Sequence, residues 1–205
     1  LTATRTGDHS QLRGVASPVL DRLQVDTALV VHLGALVGPD VVYLDKVAGS
    51  SGVAVPTRVA GHTPAHASAL GKAMLAQLPA EQVDVIVVEP LRKCTPATIA
   101  EISTLHQELA RIRTRHGLAY DNQELAVGLS SVAAPIRLAD GQLAGVSLTG
   151  PVPAHRLQRM APFLSRAARG ITEQIAGATS GAARSTAEAA TVTDDMLSRV
   201  LRTLS

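Results

Sequence analysis

Ser147 and Thr149 stand two apart in LAGVSLTG. If Leu143–Thr149 is a strand, their hydroxyls share one face and Val146 and Leu148 take the other. Asp121 closes an earlier strand-like segment, Leu118–Asp121. Two hydroxyls and a carboxyl group on one sheet face can hydrogen-bond a small, oxygen-rich molecule. The same residues also fit plain architecture. Cross-strand hydroxyl pairs stabilise sheets, and an Asp leaving a strand commonly accepts backbone bonds in a turn. A second group of residues offers a complementary chemistry. Ser68 can cap a helix beginning SALGKAML, leaving the amides of Ala69, Leu70 and Gly71 unpaired. Such an end accepts a carboxylate without a cationic side chain. It can equally be a helix start that only packs, with Gly71 permitting close contact to a sheet.

Other chemistries find less support. Gly71-Lys72 invites a phosphate-loop reading, but His66 stands where that pattern needs Gly, and Ala73 where it needs Ser or Thr. His62 and His66 are four apart with Pro64 between them, which disfavours one regular helix carrying both. His32 and His155 are isolated, so no metal site is expected. There is no G-x-S-x-G or H-E-x-x-H, and Cys94 has no local His partner, so catalysis is not expected. No cofactor-binding motif is present, and none is expected.

The elements that would position these groups follow from periodicity. Leu12, Val15, Val19, Leu20 and Leu23 make Gln11–Gln24 an amphipathic helix. Thr27–Leu33 and Val41–Val47 form an antiparallel hairpin, and Val53–Val59 is a candidate strand in the loop that follows. Ser68–Leu78 is a helix, Gln82–Val88 is open between helix and strand, and Thr98–His116 is a long helix stopped by Gly117. Ser130–Leu138 and Leu143–Thr149 flank the Asp140-Gly141 turn, and a helix runs from about Ala154 to Ala176. Residues 1–10 are expected to be a linker, 11–177 one domain, 178–190 a flexible linker of small polar residues, and 191–205 a C-terminal amphipathic helix. Hairpins and helices in mixed order predict α+β with a largely antiparallel sheet flanked by helices and a C-terminal helical tail.

Composition sets outer bounds. The chain has 205 residues, 46% hydrophobic and 18% charged, which suits one packed domain. Tyr43, Tyr120 and Phe163 are its only aromatics, too few for a platform that stacks single-stranded nucleic acid. A net charge of +2 does not point to a polyanion. Arg111, Arg113 and Arg115 are read as solvating and complementing the end of their helix. A single cysteine, no signal peptide and no membrane-length apolar run lead to the expectation of a soluble, cytoplasmic protein.

Four segments in order carry a resemblance: PVLDRL (Pro18–Leu23), VVYLDKV (Val41–Val47), TRVAGHTPAHASALGKAMLAQL (Thr57–Leu78) and His116–Pro151. Together they are similar to the effector-binding domain of IclR-type bacterial transcriptional regulators, over roughly residues 12 to 177. The resemblance implies a GAF-like fold and a small organic acid as effector. It implies that the amides of Ala69 and Leu70 take the carboxylate and that Asp121 faces the pocket, where it would select a ligand hydroxyl or other donor and repel a second carboxylate. It places Ser131, where several relatives have Cys, with Ser147 and Thr149 as small polar contacts, and Val53, Val55 and Leu129 as apolar contacts. Gly52 and Thr63 fall where larger wall residues can occur, which implies a roomier or more polar pocket. It implies a homodimer or homotetramer. DNA contact would belong to a winged helix-turn-helix domain, for which the ten residues before Gln11 are too few. The competing expectations are an oligomerisation module with a vestigial pocket and a small enzyme on a GAF-like fold.

Overall fold

The computed structural model describes residues 9–50, 52 and 54–203, with side-chain environments up to residue 178. Val53, expected in the pocket wall, and residues 1–8 of the expected linker lie outside the described residues.

Six strands form one antiparallel sheet: β1 (Val30–Val37), β2 (Asp40–Val47), β3 (His62–Pro64), β4 (Ala119–Asn122), β5 (Ser130–Arg137) and β6 (Leu143–Gly150). Their order across the sheet is β3-β2-β1-β6-β5-β4. The predicted strands at 118–121, 130–138 and 143–149 and the hairpin at 27–47 agree with these within a few residues. The candidate strand at 53–59 does not form. Its described residues are irregular, and the edge of the sheet is taken instead by the three-residue β3.

Two helices cover one face. α1 (Ser10–Thr27) presents Leu12, Ala16, Leu20 and Leu23, and α5 (Ala154–Thr203) presents Leu157, Ala161, Leu164, Ala168, Ile171 and Ile175. Both sets recur at three- and four-residue spacing, so each is one continuous stripe. They close on Val31 and Leu33 of β1, Val132, Ala134 and Ile136 of β5, and Val146 and Leu148 of β6. The alternate residues of these strands face the other way. α5 continues without interruption through 178–190, the segment expected to be a flexible linker, and through the expected separate helix beyond it, to Thr203. That segment is rich in alanine, the residue with the highest helix propensity, as well as in small polar residues.

The opposite face carries α2 (Ala69–Leu75), α3 (Ala80–Ile86) and α4 (Ile102–Thr114). α3 resolves the open segment at 82–88 as helix, entered through Pro79. Leu105, Leu109 and Ile112 of α4 pack with Leu70, Met74 and Leu75 of α2. Leu70 seats over Gly34 and Gly145, which are cross-strand partners; a Cβ on Gly34 would lie 2.7 Å from Leu70 Cδ2. This close seating fixes where α2 begins above the sheet.

Candidate functional site

The face under α2 is organised in rows by strand register. One row crosses the sheet as Val30, Thr149, Ser131 and Asp121, and the neighbouring row as His32, Ser147, Ala133 and Ala119. Consecutive same-face rows lie about 7 Å apart. The rows bring Asp121, Ser131, Ser147 and Thr149 onto one floor, from the three consecutive strands β4, β5 and β6.

The start of α2 forms the third side. Ser68 Oγ accepts the amide of Gly71 at 3.0 Å, the capping bond expected of Ser68. Gly71 is therefore not free, which narrows the sequence expectation to the amides of Ala69 and Leu70. Gly71 also abuts the backbone of Ala65, so any larger residue there would displace the turn that leads into α2.

Two loops complete the walls. Val55 and Thr57 belong to the segment after β2, and Lys46 Nζ donates to both of their carbonyls, at 2.9 and 2.6 Å. Lys46 reaches that side because the β1–β2 register shifts between Leu33 and Gly34: Leu33 pairs with Asp45, but Gly34 pairs with Tyr43. The extra residue turns both Tyr43 and Lys46 toward the site, while Leu44 and Val47 join the core on the other face. The second wall is the loop after β4, carrying Leu125, Ala126 and Leu129. Its backbone is held by Thr95 Oγ1 to Gln123 O at 2.7 Å and Thr98 Oγ1 to Glu124 O at 2.6 Å. Beneath it Lys72 Nζ donates to both carboxylate oxygens of Glu124 at 2.6 Å, with the Lys72 side chain only 1% exposed. The lysine of the failed phosphate-loop motif thus serves as the buried tie between α2 and this loop.

Floor, helix start and walls enclose a cavity of about 130 Å3. Ala69, Leu70, Asp121, Ser131, Ser147, Thr149, Val55 and Leu129 all line it. So does Thr63, whereas Gly52 is exposed and stands apart. His32, Tyr43 and Thr57 also line the cavity and were not singled out as ligands from sequence. His32 looked isolated because its neighbours come from other strands and a distant loop. The alternation of β1 carried the only local signal, since it sets His32 among apolar residues.

The electrostatics are those of a buried, nearly neutral chamber. Burial pushes the Asp121 carboxyl up to about 7; its Oδ1 accepts the Glu124 amide at 2.6 Å, which opposes the shift. Burial, aided by the nearby Lys46 charge, lowers His32 to about 3, so its imidazole is neutral. Burial also raises Tyr43. Ser131 and Thr149 bond each other at 3.0 Å across β5 and β6, and Thr63 donates to Tyr43 at 3.3 Å. Cys94 lies outside the cavity, with Sγ 4.0 Å from Arg92 O. Among the described residues no His, Cys, Asp and Glu cluster could hold a metal, and no helix is long and apolar enough to cross a membrane.

A curved antiparallel sheet with helices on both faces and, on one, a mostly apolar pocket edged by a few polar groups is the arrangement of a small-molecule sensor domain. The chain belongs to the IclR family of bacterial transcriptional regulators: residues 4–176 match the family model described as bacterial transcriptional regulator IclR C-terminal. The HTH-type transcriptional regulator RhmR of Escherichia coli K12 is 37% identical over 142 residues, covering 68% of this chain and 54% of that protein. The chain thus spans about half the length of such curated relatives. The IclR of Thermotoga maritima has a similar structure, with a TM-score of 0.75 at 30% identity, over 80% of this chain and 68% of that one. An IclR homologue from Microbacterium hydrocarbonoxydans, solved in complex with 4-hydroxybenzoate, has a TM-score of 0.71 at 26% identity, over 85% of this chain and 72% of that one.

Proposed function

We propose that the cavity is the effector site of an IclR-family regulator and takes one small carboxylic acid. The observation that carries this reading is the convergence of two unpaired backbone amides, three floor hydroxyls and a buried acid on a single enclosed chamber of matching size. The amides of Ala69 and Leu70 take the carboxylate. Ser131, Ser147 and Thr149 meet the remaining oxygens, and Asp121 meets a hydroxyl. Val55 and Leu129 cover the apolar part of the ligand. The similarly folded relative solved with 4-hydroxybenzoate supports a ligand of about this size and charge.

The protein acts in the cytoplasm as a homodimer or homotetramer, and it has no catalytic role. Effector binding biases how subunits associate, and a winged helix-turn-helix domain of the full-length regulator carries the signal to DNA. Only differential affinity for two states can do this, so the ligand must favour one arrangement of the two walls.

A thermal-shift panel tests the reading. Small carboxylic acids are compared with their primary amides, which match in shape but lack the charge. A ligand at 100 times its dissociation constant adds about 2.7 kcal/mol, which should raise the melting point by several degrees. We expect at least one acid to do so and its amide to fail. Equal shifts from acid and amide, or none from any acid, would contradict the assignment.

A further inference from the structure

We infer that His32 and Ser147 together form a neutral subsite for a hydroxyl group, so that the effector is a hydroxy acid and not a plain carboxylate. This rests on the reading that the cavity binds an acid, and it adds a residue and a ligand group to it.

The two residues are cross-strand partners on β1 and β6, and both line the cavity. They are 2% and 3% exposed. Facing side chains of an antiparallel pair have Cβ atoms about 5 Å apart, so one ligand group can reach both. His32 Nε2 meets Thr57 Oγ1 at 2.7 Å, while its Nδ1 is buried with no hydrogen-bond partner. The Ser147 hydroxyl also has no protein partner among the described residues, unlike Ser131 and Thr149, which satisfy each other. A buried imidazole nitrogen left unpaired is uncommon and calls for an explanation. Two unpaired polar groups on cross-strand partners that both line the cavity point to a ligand that completes them.

The chemistry of the pair selects that group. A neutral imidazole offers one nitrogen as donor and the other as acceptor, and the serine hydroxyl can do either. A hydroxyl both gives and accepts, so it completes the pair in either imidazole tautomer. A carboxylate can only accept, so it completes the pair in one imidazole tautomer and not in the other. An ammonium would sit beside the positive Lys46, whose charge already acts on His32. The Thr57 contact adds a consequence. Thr57 belongs to the wall that Lys46 ties down, so the ligand hydroxyl, His32 and that wall form one hydrogen-bonded chain.

Calorimetric titration of the full chain with butyrate, 2-hydroxybutyrate, 3-hydroxybutyrate and 2-oxobutyrate tests the subsite. One hydroxylated acid should bind at least tenfold more tightly than both butyrate and the oxo acid. His32→Phe should bring the hydroxylated-to-plain ratio close to one, Ser147→Ala should lower it, and His32→Asn, which keeps a neutral hydrogen-bonding group, should restore part of it. A ratio that survives in His32→Phe and Ser147→Ala, or an oxo acid that binds as well as the hydroxylated one, would overturn the subsite while leaving the acid site intact. If none of the four acids binds the wild-type chain, the acid reading fails and the subsite falls with it.

Discussion

At the residue scale, Asp121 sets the pH behaviour of the chamber. Its folded pKa is raised to about 7 from an ordinary value of 3.8, chiefly by burial. Between those values the folded protein holds a proton that the unfolded chain has lost. Asp121 therefore contributes a loss of stability as pH rises from about 4 to about 7, by at most a few kcal/mol, and His32, held at about 3, contributes an opposing gain between about 3 and 6.5. Asp121→Asn removes the Asp121 loss, so the variant should gain melting temperature over wild type at pH 8 and little at pH 4. Parallel pH profiles for the two proteins would contradict the assignment. Lys72 and Glu124 allow a second expectation. Glu124→Ala leaves the Lys72 ammonium buried without its partner and should cost about 3 kcal/mol or more in a denaturant titration. The double variant Lys72→Met, Glu124→Leu should recover most of that. An effect under about 0.5 kcal/mol for Glu124→Ala would show the pair to be inert.

At the element scale, what was legible in the sequence was what periodicity encodes. The stripe of α1, the alternation of β5 and β6, the Asp140-Gly141 turn and the Ser68 cap are local patterns, and all were readable. Eight residues of the cavity followed from the family resemblance once those elements were in order. What stayed hidden depends on pairing between distant segments. The register shift opposite Leu33 and Gly34 exists only once β1 and β2 meet, yet it alone turns Lys46 toward the wall. The partner of Lys72 lies 52 residues away. The helical run through 178–190 is hidden in the sequence because a linker and an alanine-rich helix share small residues. The Lys46 tie has its own test. Lys46→Met removes both bonds to the 55–57 backbone, and hydrogen exchange there should quicken about tenfold, as expected for a loss near 1.4 kcal/mol. Unchanged exchange would mean that packing of Val55 holds the wall alone.

For the whole molecule, the division of labour runs between the two faces of the sheet. The α1–α5 face is apolar and closed, with Leu20, Leu164 and Ile171 fully buried. The α2 face gives part of its core volume to a cavity floored by the short side chains of Ser131, Ser147 and Thr149 and bounded by two tied loops. A fold that needed only stability would fill that volume with larger side chains. The most direct measurement is a crystal structure of the chain with the acid that gives the largest thermal shift. The carboxylate should lie within about 3.2 Å of the Ala69 and Leu70 amides, with another of the ligand's oxygens on the floor near Ser147. An acid bound elsewhere, or seated with its carboxylate turned away from α2, would contradict the account.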